Sequence, residues 1–145
     1  MKFAEILGDL IIESGLSKRK VALGCHITTS QMASFLRGAI PSVASAVRIA
    51  CYFNCSLNYL MGLDEQKDQT KIIRKDYDFD GFLDRYNKML ESNKTTHWKL
   101  CQNIDISESV GRGWRKGAKP KLESLFKIAN YLNCSIDYLL GRAKS

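Results

Sequence analysis

The sequence lacks any apolar run that approaches the roughly 18 residues of a membrane span. A basic stretch followed by an apolar one, the pattern of a secretory leader, is also missing at its start. Hydrophobic residues make up 45% of the 145 residues, an ordinary share for a globular protein. We therefore expect a cytoplasmic protein without a membrane partner.

A disulfide framework is lacking too, because the five cysteines are odd in number and irregularly spaced. Cys55 and Cys134 each stand between Asn and Ser, and we expect both to be buried thiols. The alternative is a metal site made by Cys51 and Cys55 with Cys25 or His26, which the second half of the chain does not reproduce. We expect no metal and no cofactor.

No set of catalytic residues is evident either. The sequence has no paired carboxylates, no metal-ligand spacing and no glycine loop of the phosphate-binding type. It has two histidines, His26 and His97, and neither belongs to a local Cys/His signature. We therefore predict that the protein is not an enzyme.

The chain instead contains one repeat written twice. Residues 54–62 read NCSLNYLMG and residues 133–141 read NCSIDYLLG. An offset of 79 positions aligns 3–62 with 82–141 without a gap, and about 17 of the 60 pairs are identical. A fixed offset over a domain length indicates duplicated architecture. Each copy is long enough for one small helical core.

Charge divides the chain in the same way. We predict a domain over 1–63, a charged linker over 64–81 and a second domain over 82–145. The net charge of +7 divides into +3, −2 and +6 over these segments. Within the linker, a helical turn around Thr70–Lys75 is left as an open alternative. A basic balance in both domains favours an anionic polymer as the partner.

Hydrophobic spacing predicts an all-α fold class with five short helices in each repeat. Apolar residues recur at intervals of three and four, which is typical of amphipathic helices, and there is no strand signal. The predicted N-caps in the two repeats are Ser17, Thr28 and Ser56, and Thr96, Ser107 and Ser135.

A tight turn is predicted within KVALGCHITTSQMASFLR at 20–37, between the second and third helices. The chain must reverse at His26, and at Asp105 in the second repeat, and both residue types tolerate a left-handed backbone. Thr28 and Gln31 have the spacing of a capping box.

Aromatic residues mark both cores. Phe35 and Trp114 are aligned, and we expect both to face the first helix of their repeat. Trp98 aligns with Arg19 and is expected to be exposed, where it would pack on the linker or on a partner subunit rather than on a base.

The repeat resembles the phage-repressor type of helix-turn-helix domain, the Cro/repressor or XRE family. The segments that carry the resemblance are LSKRKVA at 16–22, ITTSQMASFLRG at 27–38, VRIACYFNCSLNYLMG at 47–62 and KIANYLNCSIDYLLG at 127–141. It implies two tandem five-helix repressor-like domains. The helix that follows Thr28 is then the recognition helix, which lies in the major groove of DNA.

The resemblance also implies roles for single residues. Those implied to read bases are Thr29, Ser30, Gln31 and Ser34, and Glu108, Ser109 and Arg112. Those implied to contact phosphates are Lys18, Lys20, Arg37, His97, Lys99, Lys116, Lys119 and Lys121. The ordinary alternatives are helix caps for the hydroxyl residues and solvated surface for the lysines.

These implications predict a sequence-specific double-stranded DNA-binding transcriptional regulator, a repressor that uses both repeats and can form a homodimer. The alternative is a protein-interaction or antitoxin-like module in which one repeat binds DNA and the other pairs with a second chain. Gly111 and Gly113 favour the alternative, because each costs the second recognition helix roughly 1 kcal/mol relative to alanine. Glu108 would place a carboxylate near phosphates and leaves both possibilities open: it can accept a hydrogen bond from the amino group of cytosine, or it can mark a helix that no longer reads DNA.

Overall fold

The computed structural model describes residues 1–144. Over these residues it contains ten α-helices and no strand, which confirms the predicted all-α fold class. The chain divides after Lys71 into two compact units, unit 1 (Met1–Lys71) and unit 2 from Ile72 onward. Every helix within 1–144 is too short or too polar to cross a bilayer.

Each unit has five helices. Those of unit 1 are α1 (Phe3–Ser14), α2 (Lys18–Gly24), α3 (Thr29–Leu36), α4 (Val43–Tyr52) and α5 (Leu57–Leu60). Those of unit 2 are α6 (Phe82–Ser92), α7 (His97–Asn103), α8 (Glu108–Arg115), α9 (Leu122–Leu132) and α10 (Ile136–Leu139). Each helix of unit 2 begins 79 residues after its counterpart, the offset of the sequence repeat.

Six of the ten helices within residues 1–144 begin after a hydroxyl residue that the sequence predicts as an N-cap. At every predicted N-cap a hydroxyl oxygen accepts a hydrogen bond from the backbone N–H three residues later, over 2.8–3.3 Å. The residues are Ser17, Thr28, Ser56, Thr96, Ser107 and Ser135. Each such cap stabilises its helix by about 1 kcal/mol.

The chain reverses at equivalent places in both units. Residues with positive φ are Gly15, His26, Gly38, Asn54 and Gly62 in unit 1, and Lys94, Asp105, Gly117, Asn133 and Gly141 in unit 2. His26 and Asp105 both have φ 57°, so the left-handed turn predicted at these two residues is confirmed. The turn between the second and third helices is therefore made without glycine.

Each unit has its own apolar core. Phe35 is buried and packs edge-on against Phe3 of α1, with ring centroids 5.8 Å apart. Trp114 is buried in unit 2, whereas Trp98 is 64% exposed, as predicted for both. Cys55 is buried as expected, whereas Cys134 is half-buried. Its partial burial still raises the pKa of that thiol to about 12.

The segment predicted as a linker is largely bound to one unit or the other. The Ser56 N–H donates to the carbonyl of Lys67 over 3.2 Å in unit 1, and the Ile73 N–H donates to the carbonyl of Arg142 over 2.8 Å in unit 2. No helical turn forms over Thr70–Lys75. The segment has few apolar side chains, but several of its backbone N–H groups donate hydrogen bonds to the unit beside them.

Candidate nucleic-acid interface

In unit 1 a tight turn joins α2 to α3. The N–H of Ile27 donates to the carbonyl of Ala22 over 3.0 Å, and Ile27 itself is buried beneath the turn. Met32 and Phe35 form the buried face of α3. Because that face is fixed in the core, the first turn of α3 is presented to solvent.

The base-reading candidates of unit 1 lie on this first turn. Thr29, Ser30 and Gln31 are exposed, and Ser34 is half-buried. The Gln31 amide oxygen accepts a hydrogen bond from the N–H of Thr28 over 2.9 Å, so the predicted capping box is confirmed. Gln31 is therefore at least a cap, and its amide NH₂ group is the part able to meet a base.

Basic side chains border the same helix. Lys18, Lys20 and Arg37 are all exposed. A groove of about 350 Å³ between α2 and α3 is lined by Lys18, Arg19 and Arg37 together with residues of α3. Arg19 was not among the predicted phosphate contacts, although its charge and its place beside Lys18 in the sequence pointed to the same role. Three cations thus lie along the exposed face of α3.

Unit 2 presents a different first turn on α8. Glu108 and Ser109 are exposed, and Val110, which aligns with Gln31, is 47% exposed. The Arg112 guanidinium lies 3.8 Å from the Glu108 carboxylate, and both side chains are mostly exposed. Such an i,i+4 pair is worth only about 0.3–0.5 kcal/mol, so either member can exchange it for another partner.

Four predicted phosphate contacts of unit 2 are on its surface. They are Lys99, Lys116, Lys119 and Lys121. The Lys119 ammonium also lies over the ring of Phe79, 5.7 Å from its centroid. An exposed lysine near an aromatic face keeps its charge available to a phosphate, because such a contact is worth only about 0.5–1 kcal/mol.

His97 differs from the other phosphate candidates. Its Nδ1 lies 2.6 Å from the hydroxyl of buried Tyr86, and its Nε2 lies 3.6 Å from Cys101 Sγ. Burial lowers the pKa of His97 below its ordinary value, the charge of Arg115 lowers it further, and a hydrogen bond with the Gly111 backbone partly opposes them. The imidazole is therefore neutral at pH 7, which argues against the ionic phosphate contact.

Gly111 has a steric reason to be glycine. A Cβ there would lie 2.8 Å from Cys101 Sγ and 2.9 Å from His97 Nε2, closer than real Cβ contacts come. The aligned residue in unit 1 is the buried Met32. Where unit 1 has the Met32 side chain, unit 2 has no side chain at the aligned position of α8, and the side chains of His97 and Cys101 from α7 lie close to this position. We call Tyr86, His97, Cys101 and Gly111 the His97 cluster.

The titratable members of the His97 cluster other than the imidazole are also neutral at pH 7. Burial raises the pKa of the Tyr86 hydroxyl, and it raises the pKa of the Cys101 thiol, which Arg115 partly offsets. A Cys/His pair therefore exists in space although the sequence shows no signature for one. A raised thiol pKa leaves little thiolate, so the pair is not poised as a nucleophile.

Within residues 1–144, no group of three His, Cys, Asp or Glu side chains is arranged to hold a metal ion. The residues of the alternative metal site, Cys51 and Cys55 with Cys25 or His26, are not arranged in this way either. Comparison with protein-family models, with curated proteins and with solved structures yields no match. The function must therefore be inferred from the residues and geometry of the two units.

Proposed function

We propose that the protein is a sequence-specific double-stranded DNA-binding transcriptional regulator, a repressor built from two tandem repressor-like helix-turn-helix units. The observation that carries the proposal is in unit 1, where the exposed first turn of α3 adjoins a groove lined by Lys18, Arg19 and Arg37. Hydroxyl and amide groups read base edges, and lysine and arginine bind phosphates. Both classes of contact are thus available on one face.

The units are suited to different half-sites. The reading positions of unit 1 hold Thr29, Ser30 and Gln31, whereas residues 108–110 of unit 2 read Glu-Ser-Val. A glutamate can accept a hydrogen bond from the amino group of cytosine, and an exposed valine can contact the methyl group of thymine. We therefore expect an asymmetric operator rather than a palindrome.

A second candidate function rests on the surface of unit 2. Val110 and Trp98 are exposed apolar side chains where unit 1 has Gln31 and Arg19. An exposed apolar surface is more typical of a protein partner than of a phosphate backbone. In this alternative unit 1 binds DNA and unit 2 pairs with another chain.

A graft between the units tests the two candidates on the intact chain. Ser109 already matches Ser30, so Glu108→Thr together with Val110→Gln gives α8 the three residues that α3 has on its first turn, Thr29, Ser30 and Gln31. The operator is selected from random duplexes for both proteins. If both units read DNA, the preferred site changes from two different half-sites to two similar ones. An unchanged site would show that α8 does not read bases.

Salt dependence tests the electrostatic part of the proposal. If the two units neutralise about six phosphates, the slope of log K against log salt is about −5. Arg37→Ala flattens the slope, whereas Arg48→Ala serves as a control, because Arg48 is an exposed arginine on α4 that does not line the groove. A wild-type slope flatter than about −2 contradicts DNA binding as the function.

A further inference from the structure

The His97 cluster contains two metal-binding side chains on one helix face. His97 and Cys101 are four residues apart on α7, and His97 Nε2 lies 3.6 Å from Cys101 Sγ. In a tetrahedral zinc site, Zn–S and Zn–N bonds of about 2.3 and 2.0 Å place the two ligand atoms about 3.5 Å apart, close to this distance. We propose that His97 and Cys101 together bind a divalent ion of the zinc class, with water in the remaining coordination positions.

Tyr86 supplies the oxygen to which a ligating histidine donates its other ring N–H. Its side chain is fully buried in α6, and its hydroxyl lies 2.6 Å from His97 Nδ1. A histidine that binds metal through Nε2 donates its Nδ1–H to an oxygen, which fixes the ring orientation and the tautomer. Tyr86 therefore holds the imidazole with Nε2 on the side of the Cys101 sulfur.

Both ligand residues border a groove that is open to solvent. This groove of about 350 Å³ along α7 and α8 is lined by His97, Cys101 and Glu108, although Cys101 itself is mostly buried. Gly111 contributes no side chain at the point where a Cβ would crowd both ligand atoms. The corresponding residues of unit 1 are Lys18, Ala22 and Met32, so the site belongs to unit 2 alone.

Charged and titratable groups from two helices surround the site. The charged and titratable groups next to the pair are Tyr86 and Glu91 from α6, and Glu108, Arg112 and Arg115 from α8. Arg115 is exposed, so solvent screens its repulsion of a bound cation.

Cobalt titration of the full chain under reducing conditions tests the site. We expect a thiolate-to-cobalt charge-transfer band that zinc abolishes by displacement. Cys101→Ser removes the band, His97→Gln weakens cobalt binding at least tenfold, and Cys51→Ser, which changes an exposed thiol elsewhere, leaves it intact. Two protein ligands make a weaker site than the usual three or four, so the titration extends to about 1 mM.

Several outcomes would overturn the proposal. They are no band in the wild type, a band that survives in Cys101→Ser, or a band lost in Cys51→Ser. In any of these cases the 3.6 Å approach is only a hydrogen-bond contact between the imidazole and the thiol. If Cys101→Ser fails to fold, Gly111→Ala takes its place, since its methyl group crowds both ligand atoms and should weaken binding tenfold, whereas Gly113→Ala should not. None of these readouts involves DNA, so they test the site independently of the proposed function.

Discussion

Two glycines of α8 provide a matched pair of substitutions that tests how the His97 cluster is packed. A Cβ at Gly113 would meet only the Cβ of Ala118 at 3.5 Å, an ordinary contact. Gly113→Ala should therefore stabilise unit 2 by about 1 kcal/mol, the difference in helix propensity. Nothing in the structure explains why this position is glycine.

Gly111→Ala brings the same gain in helix propensity but a larger cost. Its methyl group would lie within 3.0 Å of Cys101 Sγ and His97 Nε2. Neither side chain can move away freely, because Cys101 is buried and His97 is hydrogen-bonded to Tyr86. Overpacking of about 1–3 kcal/mol and a lost hydrogen bond of about 1 kcal/mol leave a net destabilisation of about 1–3 kcal/mol.

Urea denaturation followed by tryptophan fluorescence measures the difference between the variants. Trp98 and Trp114 are the only two tryptophans and both belong to unit 2, so the signal reports that unit. We expect the free energies of unfolding of the two variants to differ by about 2–4 kcal/mol. Adding Cys101→Ala, the residue of unit 1 at this position, should recover part of the loss. A Gly111→Ala protein as stable as Gly113→Ala would refute the packing described here.

Three further predictions concern pH, base reading and a buried ion pair. Burial lowers the pKa of His97 in the folded state, so the unfolded state binds a proton at higher pH than the folded state does. The free energy of unfolding should therefore fall as pH drops below about 6.5, and urea denaturation of His97→Gln should show a smaller decrease. Ser30→Ala should weaken binding to the selected operator by about 1–3 kcal/mol in a mobility-shift titration and spare random duplexes, and an equal loss on both would remove Ser30 from the readers. Asp137 and Arg142 form a buried ion pair at 2.8 Å, so Asp137→Ala should cost about 3–5 kcal/mol in thermal or urea unfolding. Asp137→Asn with Arg142→Leu, the residues that unit 1 has at these positions, should be milder, and a single variant no worse than the double would contradict this.

Features set by local chemistry could be predicted from the sequence. A hydroxyl residue before an amphipathic segment fixes a helix start, and all six predicted N-caps accept their backbone hydrogen bond. His26 and Asp105 were predictable in the same way, because few non-glycine residues tolerate a left-handed backbone. The roles of Thr29 and Ser30 on DNA remain predictions.

Features that depend on contacts between helices could not be predicted. His97 aligns with Lys18, so the repeat implied an exposed basic residue, whereas its ring is held by Tyr86 from α6 and by Cys101 one turn away. Gly111 looked like a helix-weakening residue, because its steric reason lies in side chains from α7. The segment 64–81 was predicted as a linker for a related reason, since the backbone hydrogen bonds that hold it to the two units leave no sign in its composition.

The two units keep the same helix starts and turns and differ along the groove between the second and third helices. All five positive-φ positions recur at the offset of 79, even where Gly15 is replaced by Lys94. Along the groove between the second and third helices, Lys18 and Arg19 have become His97 and Trp98. A duplication kept only for affinity would preserve both binding faces, since tethering alone raises the effective concentration of the second contact. The altered groove is therefore in keeping with the proposal that unit 2 contributes a different specificity, for a second DNA half-site or for a protein.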